Sequence, residues 1–493
     1  MVRTTLVICL ALVGCGGDPE IRWTGGPEEA QEVAVLVTPN LDDDDYDGDV
    51  DWTQLGRVDD EDDRSTVRID KPGKAASLRF IGDGADVMRV WHEGRLVLGD
   101  GGPESWTLPD DAKKDGVELK VEVGGWGRLG DLVLYDKKDE ESGRIPVVGS
   151  PPTLGHHLLP SGDVWIVGLS FGFDYNNQSM IDDIEAELGD RFFRVEGSTV
   201  RNDPWMQDEP EFLRMWSPES SSTLILDSIR DGNGDGGLDP FPESIAGGDV
   251  FVQSYGPGVA QATTYDAFGN LEASPPVEVD GTDYPLGRTY YGWNGGSGSQ
   301  DYGPHPDMRD FLGSTGVQAP FWVDTSWLCV GHIDEVTSFI PDPTAPRGFR
   351  FLISDTNLGW AALQERDGGT GLQRHGETGF AGHNRPTIAS YVNDAELRAY
   401  NQDMQDDHLE PILEAFREEL ALTDEEIIRI PSVFEEIADQ FGVCGAAAVV
   451  PGSINLLMYT NEAGDGGTIF LADPFVRAPG EDQDCATTIR THR

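Results

Sequence analysis

The 493-residue chain is poor in cysteine, in basic residues and in long apolar runs. Its five cysteines, Cys9, Cys15, Cys329, Cys444 and Cys485, are far too few for a disulfide-built scaffold. Only 35 Lys and Arg stand against 89 Asp and Glu, a formal charge of −54. That balance argues against a nucleic-acid partner, whose phosphates would be repelled. Beyond the first residues no apolar segment is long enough to cross a bilayer, so the body of the chain is expected to lie in water. What is present is a folding composition: 38% hydrophobic residues and 12 Trp can fill a sizeable core. At roughly 100–200 residues per domain, two to four domains fit. The excess acid has three uses: binding divalent cations, attracting basic polypeptides, or keeping the surface solvated.

The first residues, MVRTTLVICLALVGCGG, place one Arg before an apolar run that ends in Gly14-Cys15. This fits the h-region of a secretory signal. The ending LVGC resembles a bacterial lipobox, in which the chain is cut before the Cys and that Cys carries lipid. The resemblance makes 1–14 a signal peptide and Cys15 a lipid anchor. The protein is then expected across the inner membrane, lipid-anchored in a bacterial cell envelope at the outer membrane or cell surface. An ordinary signal peptide with a chance Cys is the alternative.

Residues 15–32 read as a polar linker. From 33 to 140, short alternating runs such as STVRID, ASLRFIG and VELKVEV recur near every ten residues, which predicts a small antiparallel β-sandwich. From 145 to 493 strand-like runs mix with longer loops and a few helices, so the fold class is α+β. Leu409, Ile412, Leu413, Phe416 and Leu420 predict a helix over about 394–421, with a break near 410 at Pro411. No strong sequence repeat stands out.

Acids cluster at metal-binding spacing. Asp43, Asp45 and Asp47 alternate before Gly48, as in the first half of an EF-hand loop, but Gln54 stands where the closing Glu belongs. Solvated acids explain the loop equally well. DSIRDGNGDGGLD (227–239) repeats the theme. WMQDEPEF (205–212) sets Asp208, Glu209 and Glu211 among apolar residues, where charge is costly unless paired or metal-bound. Oxygen-rich donors point to Ca2+ as the metal. In SWLCVGHIDEVTSF (326–339), His332, Asp334 and Glu335 interrupt a buriable run. A lone His there is most often a satisfied core residue, and Cys329 and Cys444, in apolar or Gly/Ala-rich surroundings, read as inert packing.

Three stretches together are more specific. DPWMQDEPEF, DAFGNLEASPPVEVDGTDYPLGR and SWLCVGHIDEVTSFIP resemble the catalytic domain of protein-arginine deiminases. The resemblance covers about 145–493, and 33–140 looks like that family's immunoglobulin-like middle domain. It implies a C-terminal pentein fold, a five-bladed α/β propeller, preceded by the small sandwich. It implies a calcium-dependent hydrolase of C–N bonds in linear amidines that converts peptidyl-arginine to peptidyl-citrulline and ammonia. Asp208 and Asp334 match the two guanidinium-binding acids, His332 the catalytic His, and Cys485 the nucleophile near the C-terminus. Trp205 and Arg230 match substrate-binding positions. Gln207, Glu211, Glu272 and the carbonyls of Phe268 and Leu271 match one calcium site, and Glu209, Asp227, Ser228 and Asp231 a second. The acidic loop of Asp43, Asp45 and Asp47 is then a possible further calcium site.

The chemistry suits these residue types. A guanidinium is a planar cation with five N–H donors, which two flanking carboxylates can hold bidentately. Its carbon is a weak electrophile that asks for a thiolate, and a His can protonate the leaving amine and then activate water. The family's nucleophile is usually preceded by His and followed by Gly-Thr-Asn; here Asp484 precedes Cys485 and Ala486, Thr487 and Thr488 follow. An adjacent Asp raises a thiol pKa, which bears on activity level and pH optimum. A second substrate-gripping arginine of the family is replaced by Gly232. Expected partners are arginine-containing proteins and, through the lipid, a membrane. Two alternatives stay open: a pentein acting on a small guanidine such as free arginine or agmatine, and a catalytically inactive calcium-binding surface lipoprotein.

Overall fold

The computed structural model describes residues 20–23, 34–43, 50–55, 64–70, 72, 74–171, 175–217, 220–230, 236–258, 261–372, 385–439, 442–450 and 453–471. The expected lipid anchor Cys15, the loop acids Asp45 and Asp47, the expected calcium ligand Asp231 and the expected nucleophile Cys485 lie outside these residues. None of the described helices is long and apolar enough to cross a membrane.

The alternating runs near the start form two facing five-stranded sheets. One orders the strands Glu20–Trp23, Ser65–Asp70, Val117–Val123, Met88–His92 and Arg95–Gly99. The other orders Val35–Val37, Glu141–Gly149, Gly127–Asp136, Ala75–Ile81 and Ser105–Thr107. In Val117–Val123 the odd positions Val117, Leu119, Val121 and Val123 enter the core while Glu118 is exposed, the period-2 pattern of a half-covered strand. Leu78, Leu132, Leu134, Ile145 and Val147 are buried in the same core. The outer face of the first sheet carries a buried acid, Glu122, which is 1% exposed. It accepts from Arg89 Nη1 (3.2 Å) and Trp91 Nε1 (2.7 Å). Arg89 in turn lies 3.8 Å over the ring of Trp52.

The described flanks of the acidic stretch touch this face: Asn40 Nδ2 donates to Glu122 (3.4 Å) and the Trp52 carbonyl accepts from Arg89 (2.8 Å). Asp51 N donates to the Asp42 carbonyl (2.9 Å), which joins the two described flanks of the acidic stretch. Asp42 receives a hydrogen bond from Ser222 Oγ (3.2 Å), and Asp43 bridges to Gly248, both in the second part of the chain. Trp126 meets Phe311 edge-on across the same junction, with ring centroids 5.8 Å apart.

The second part is a thrice-repeated module. Pro210–Trp216 runs antiparallel to Ser221–Asp227, which runs parallel to Val250–Ser254. Leu271–Ala273 runs antiparallel to Thr289–Gly292, which runs parallel to Phe321–Val323. Thr337–Pro341 runs antiparallel to Phe349–Asp355, which runs parallel to Ile427–Pro431. A helix lies in each parallel crossover: Phe241–Ser244, Pro306–Ser314, and the group ending in Glu410–Leu420. Smaller two-stranded sheets, including Val433–Asp439 with Gly442–Val450 and Leu456–Thr460 with Gly467–Leu471, complete a mixed α+β architecture. Among the described residues no sheet closes on itself.

Aromatic rings lock two modules together. Phe416 of the last helix packs 5.0 Å from Tyr290, 5.2 Å from Phe321 and 4.6 Å from Phe351. The helix expected over about 394–421 runs as Ala395–Met404 and Glu410–Leu420, joined by a π-helical turn at Gln405–Leu409. Pro411 is the reason: lacking an N–H and crowding the preceding turn, it widens the helix there.

Candidate functional site

Each module begins with a 3-10 turn just ahead of its first strand: Met206–Asp208, Phe268–Asn270 and Ile333–Glu335. The three turns meet, and Gly269 sits at the meeting point. A methyl group there would lie 2.5 Å from His332 Nδ1, 2.8 Å from Asp208 Oδ1 and 3.0 Å from Asp334 Oδ2. Only glycine leaves room for three side chains to converge on one peptide. Gly269 N donates to Asp208 Oδ1 (3.2 Å), and His332 Nδ1 lies 3.4 Å from the same oxygen. The other imidazole nitrogen, Nε2, faces the Thr264 carbonyl at 2.8 Å, which requires a proton on Nε2. Asn270, fully buried, holds the central turn: its amide donates to the Tyr265 and Gly292 carbonyls (3.1 and 3.0 Å) and its oxygen accepts from Gly292 N (2.8 Å).

Asp334 is 5% exposed and is held from two sides. Its Oδ2 accepts from Gln207 Nε2 (3.2 Å) and from Asn455 Nδ2 (3.0 Å), while Oδ1 has no donor among the described residues. Asn455 directly precedes the strand Leu456–Thr460, so a fourth sheet also presents a residue to the centre from its leading end. Burial pushes Asp334 well above the usual carboxylate range, and the charges of Glu335, Asp208 and Glu272 add to it. Burial also raises Asp208, against the pull of His332 and the Gly269 amide; the positive charge of Arg230 pulls the same way. Glu335 is pushed up to about 8, chiefly by burial. Trp205, at the rim, is 56% exposed.

The sequence-derived residues Asp208, His332 and Asp334 are therefore brought together. Trp205 lies at the edge of this group. The expected calcium ligands fall into pairs of facing carboxyls. Glu211, pushed up to about 8 by burial and by the charge of Glu272, accepts from the N–H of Phe212 (3.1 Å). Burial raises Glu272 as well. Asp227, pushed up to about 6 by burial and by Glu243 and Asp239, makes a hydrogen bond with Glu209. Ser228 stands beside this pair, its N–H on the Glu209 carbonyl (3.1 Å). Crowded acids of this kind fit a hard cation. Among the described residues no group of three or more His, Cys, Asp or Glu side chains is placed to hold a metal ion, and Gln207 turns its amide nitrogen toward Asp334.

One expectation is overturned. Cys329 and Cys444 are not inert packing: they form a disulfide, with Cα atoms 4.8 Å apart, and Cys444 is exposed. Sequence separation of 115 residues gave no signal for it. Gly269 and Asn455 were missed for the same reason. Gly269 lies inside the FGNLE stretch that carried the resemblance, while Asn455 has no local signature at all.

Two carboxylates and an imidazole gathered on one glycine peptide make a set of acceptors suited to a planar cation with several N–H donors. Comparison with known proteins points the same way. The family model "Protein-arginine deiminase (PAD)" matches residues 150–466. The chain is 36% identical to rat protein-arginine deiminase type-4 over 268 residues, 54% of this chain and 39% of that protein. It is 33% identical to human protein-arginine deiminase type-3 over 349 residues, 68% of this chain and 50% of that one. The chain thus spans half or less of these relatives' length. It belongs to the protein-arginine deiminase family.

Proposed function

We propose that the chain is a calcium-dependent protein-arginine deiminase, releasing ammonia from peptidyl-arginine to leave peptidyl-citrulline. The observation that carries this reading is the convergence of Asp208, His332 and Asp334 on Gly269, inside the segment matched by the family model. The substrate guanidinium lies between Asp208 and Asp334, with Asp334 Oδ1, which has no donor among the described residues, accepting one of its N–H groups. Trp205 covers the aliphatic stem, and Arg230 steadies the peptide. The Cys485 thiolate attacks the guanidinium carbon and its electron pair forms the C–S bond. His332 gives a proton to the departing nitrogen, which leaves as ammonia. Water, deprotonated by His332, then adds to the same carbon, and the C–S bond breaks to regenerate the thiolate.

The cysteine arithmetic supports Cys485. The disulfide removes Cys329 and Cys444, and the signal-peptide reading removes Cys9 and Cys15, which leaves one thiol. Glu211, Glu272, Glu209, Asp227 and Ser228 would hold calcium, together with Gln207, Asp231 and the carbonyls of Phe268 and Leu271. Bound there, calcium supplies positive charge that lowers the cost of ionising the acids around the centre. Half-saturation is expected at about 0.1–1 mM, the range of extracellular sites. The repeated strand modules support a pentein propeller, and the facing sheets an immunoglobulin-like front domain. An exposed disulfide supports export to an oxidising compartment, in keeping with a lipid anchor at Cys15.

The test is citrulline formation from a blocked arginine peptide with calcium present. Wild type should form it, Cys485→Ala should not, and free arginine should react with lower kcat/KM. A higher kcat/KM for free arginine would make the protein a small-guanidine hydrolase, and no citrulline from either would refute the enzyme.

A further inference from the structure

The disulfide lies at the root of the loop that delivers His332. Cys329 is three residues before it, with only Val330 and Gly331 between. The segment 327–329 lies alongside the strand Gly442–Val450: Ala446 N donates to the Trp327 carbonyl (2.9 Å), and Cys329 N donates to the Ala446 carbonyl (2.8 Å). Leu328 packs so closely that a methyl group on Gly445 would come within 2.8 Å of its carbonyl carbon. Two hydrogen bonds and one S–S bond therefore join this loop to a hairpin from a distant part of the chain. On its other flank Trp327 stacks on His408 of the π-helical turn, with centroids 4.9 Å apart.

Past Cys329 the chain turns sharply. Gly331 has φ +80°, open only to glycine without strain, and its carbonyl accepts from the buried Thr325 hydroxyl (2.6 Å). His332 then reaches Thr264 and Asp208. Asp334 does not depend on this route. Its 3-10 turn is pinned by fully buried Ile333, whose carbonyl accepts from Thr337 (3.2 Å), and its carboxylate is held by Gln207 and Asn455. The covalent link thus restrains the approach to His332 more than the seat of Asp334.

We infer that the Cys329–Cys444 disulfide is a positioning element for His332, and that opening it lowers turnover reversibly while leaving the substrate clamp in place. This rests on the deiminase reading of His332. Opening needs a dithiol reductant. One thiolate attacks the exposed Cys444 sulfur, Cys329 departs and takes a proton, and the second thiol of the reductant closes to release Cys444. Two electrons and two protons pass to the protein, and the reductant becomes a disulfide.

The experiment uses the full chain with calcium. A non-reducing peptide map should show Cys329 linked to Cys444. Dithiothreitol treatment, with thiols counted, should lower kcat on a blocked arginine peptide about tenfold while KM stays within about twofold. Oxidised glutathione should restore it. The double variant Cys329→Ser/Cys444→Ser should behave like the reduced protein. Amide exchange at 331–333 should quicken on reduction, while the strand Phe349–Asp355 stays protected. The inference is overturned by an absent link, or by counted reduction with kcat and exchange unchanged. It is also overturned if kcat falls only in step with lost protection of Phe349–Asp355, because the bond then supports the fold alone. A linked protein that shows the exchange change yet never forms citrulline upholds the positioning of His332 and sinks the deiminase reading.

Discussion

The front sandwich and the centre of the second part treat buried acids in opposite ways, although elsewhere in the second part the fully buried Glu426 is paired with Arg347 much as Glu122 is with Arg89. In the front sandwich Glu122 is enclosed with donors aimed at it: the Arg89 guanidinium and the Trp91 indole, with Arg64 3.5 Å away. In the second part Glu211 faces Glu272, Asp227 faces Glu209, and Asp334 lies near Glu335 and Asp208. Among the described residues none of Glu211, Glu272, Asp334 and Glu335 forms an ion pair with Lys or Arg. The first arrangement is self-sufficient and serves the fold. On the proposed function the second is completed by cations, one kind being the substrate's guanidinium and the other calcium. An enclosed acid is thus a support or a site according to what surrounds it, not how deeply it lies.

Replacement of one acid in each region should separate the two cases. Glu122→Ala leaves Arg89 enclosed without its partner and should cost about 3–5 kcal/mol of sandwich stability. Thermal unfolding should show it, and kcat of the still-folded protein should not change. Asp334→Asn should do the reverse, lowering kcat/KM on an arginine peptide by about 10²–10³-fold with little loss of melting temperature. Asn455→Ala, which removes one of the two amide donors to Asp334 among the described residues, should cost about tenfold in kcat/KM, in line with a hydrogen bond to a charged group. If Asn455→Ala matches Asp334→Asn, the strand Leu456–Thr460 has a larger part in the centre than positioning.

The smallest effect is a pH dependence. Glu211 rises from its ordinary 4.5 to about 8 on folding. A carboxyl with a raised folded pKa contributes its full stability below 4.5 and loses it as pH climbs toward 8. Without calcium the second part should therefore soften between pH 5 and pH 8. Calcium should raise the melting temperature more at pH 8 than at pH 5, and Glu211→Gln should flatten the difference. An equal calcium effect at both pH values would remove Glu211 from the calcium site.

Much of the sandwich was legible because period-2 alternation is local: STVRID, ASLRFIG and VELKVEV became strands at those positions. The last strand, Glu141–Gly149, was not, since Gly143, Pro146 and Gly149 break the pattern and only pairing with Gly127–Asp136 and Val35–Val37 makes it a strand. Asp208, His332 and Asp334 were legible through their motif context. The module repeat was not, because its turns read MQD, FGN and IDE and share only a backbone shape. The disulfide and Asn455 arise from contacts 115 and 121 residues apart, which no local pattern encodes.

The most direct test is the structure of a Cys485→Ala variant bound to calcium and an arginine-containing peptide. The account predicts the guanidinium between the two acids, with nitrogens about 2.7–3.0 Å from carboxylate oxygens of both Asp208 and Asp334. A peptide whose arginine binds elsewhere, leaving those carboxylates facing one another across the Gly269 peptide, would contradict it.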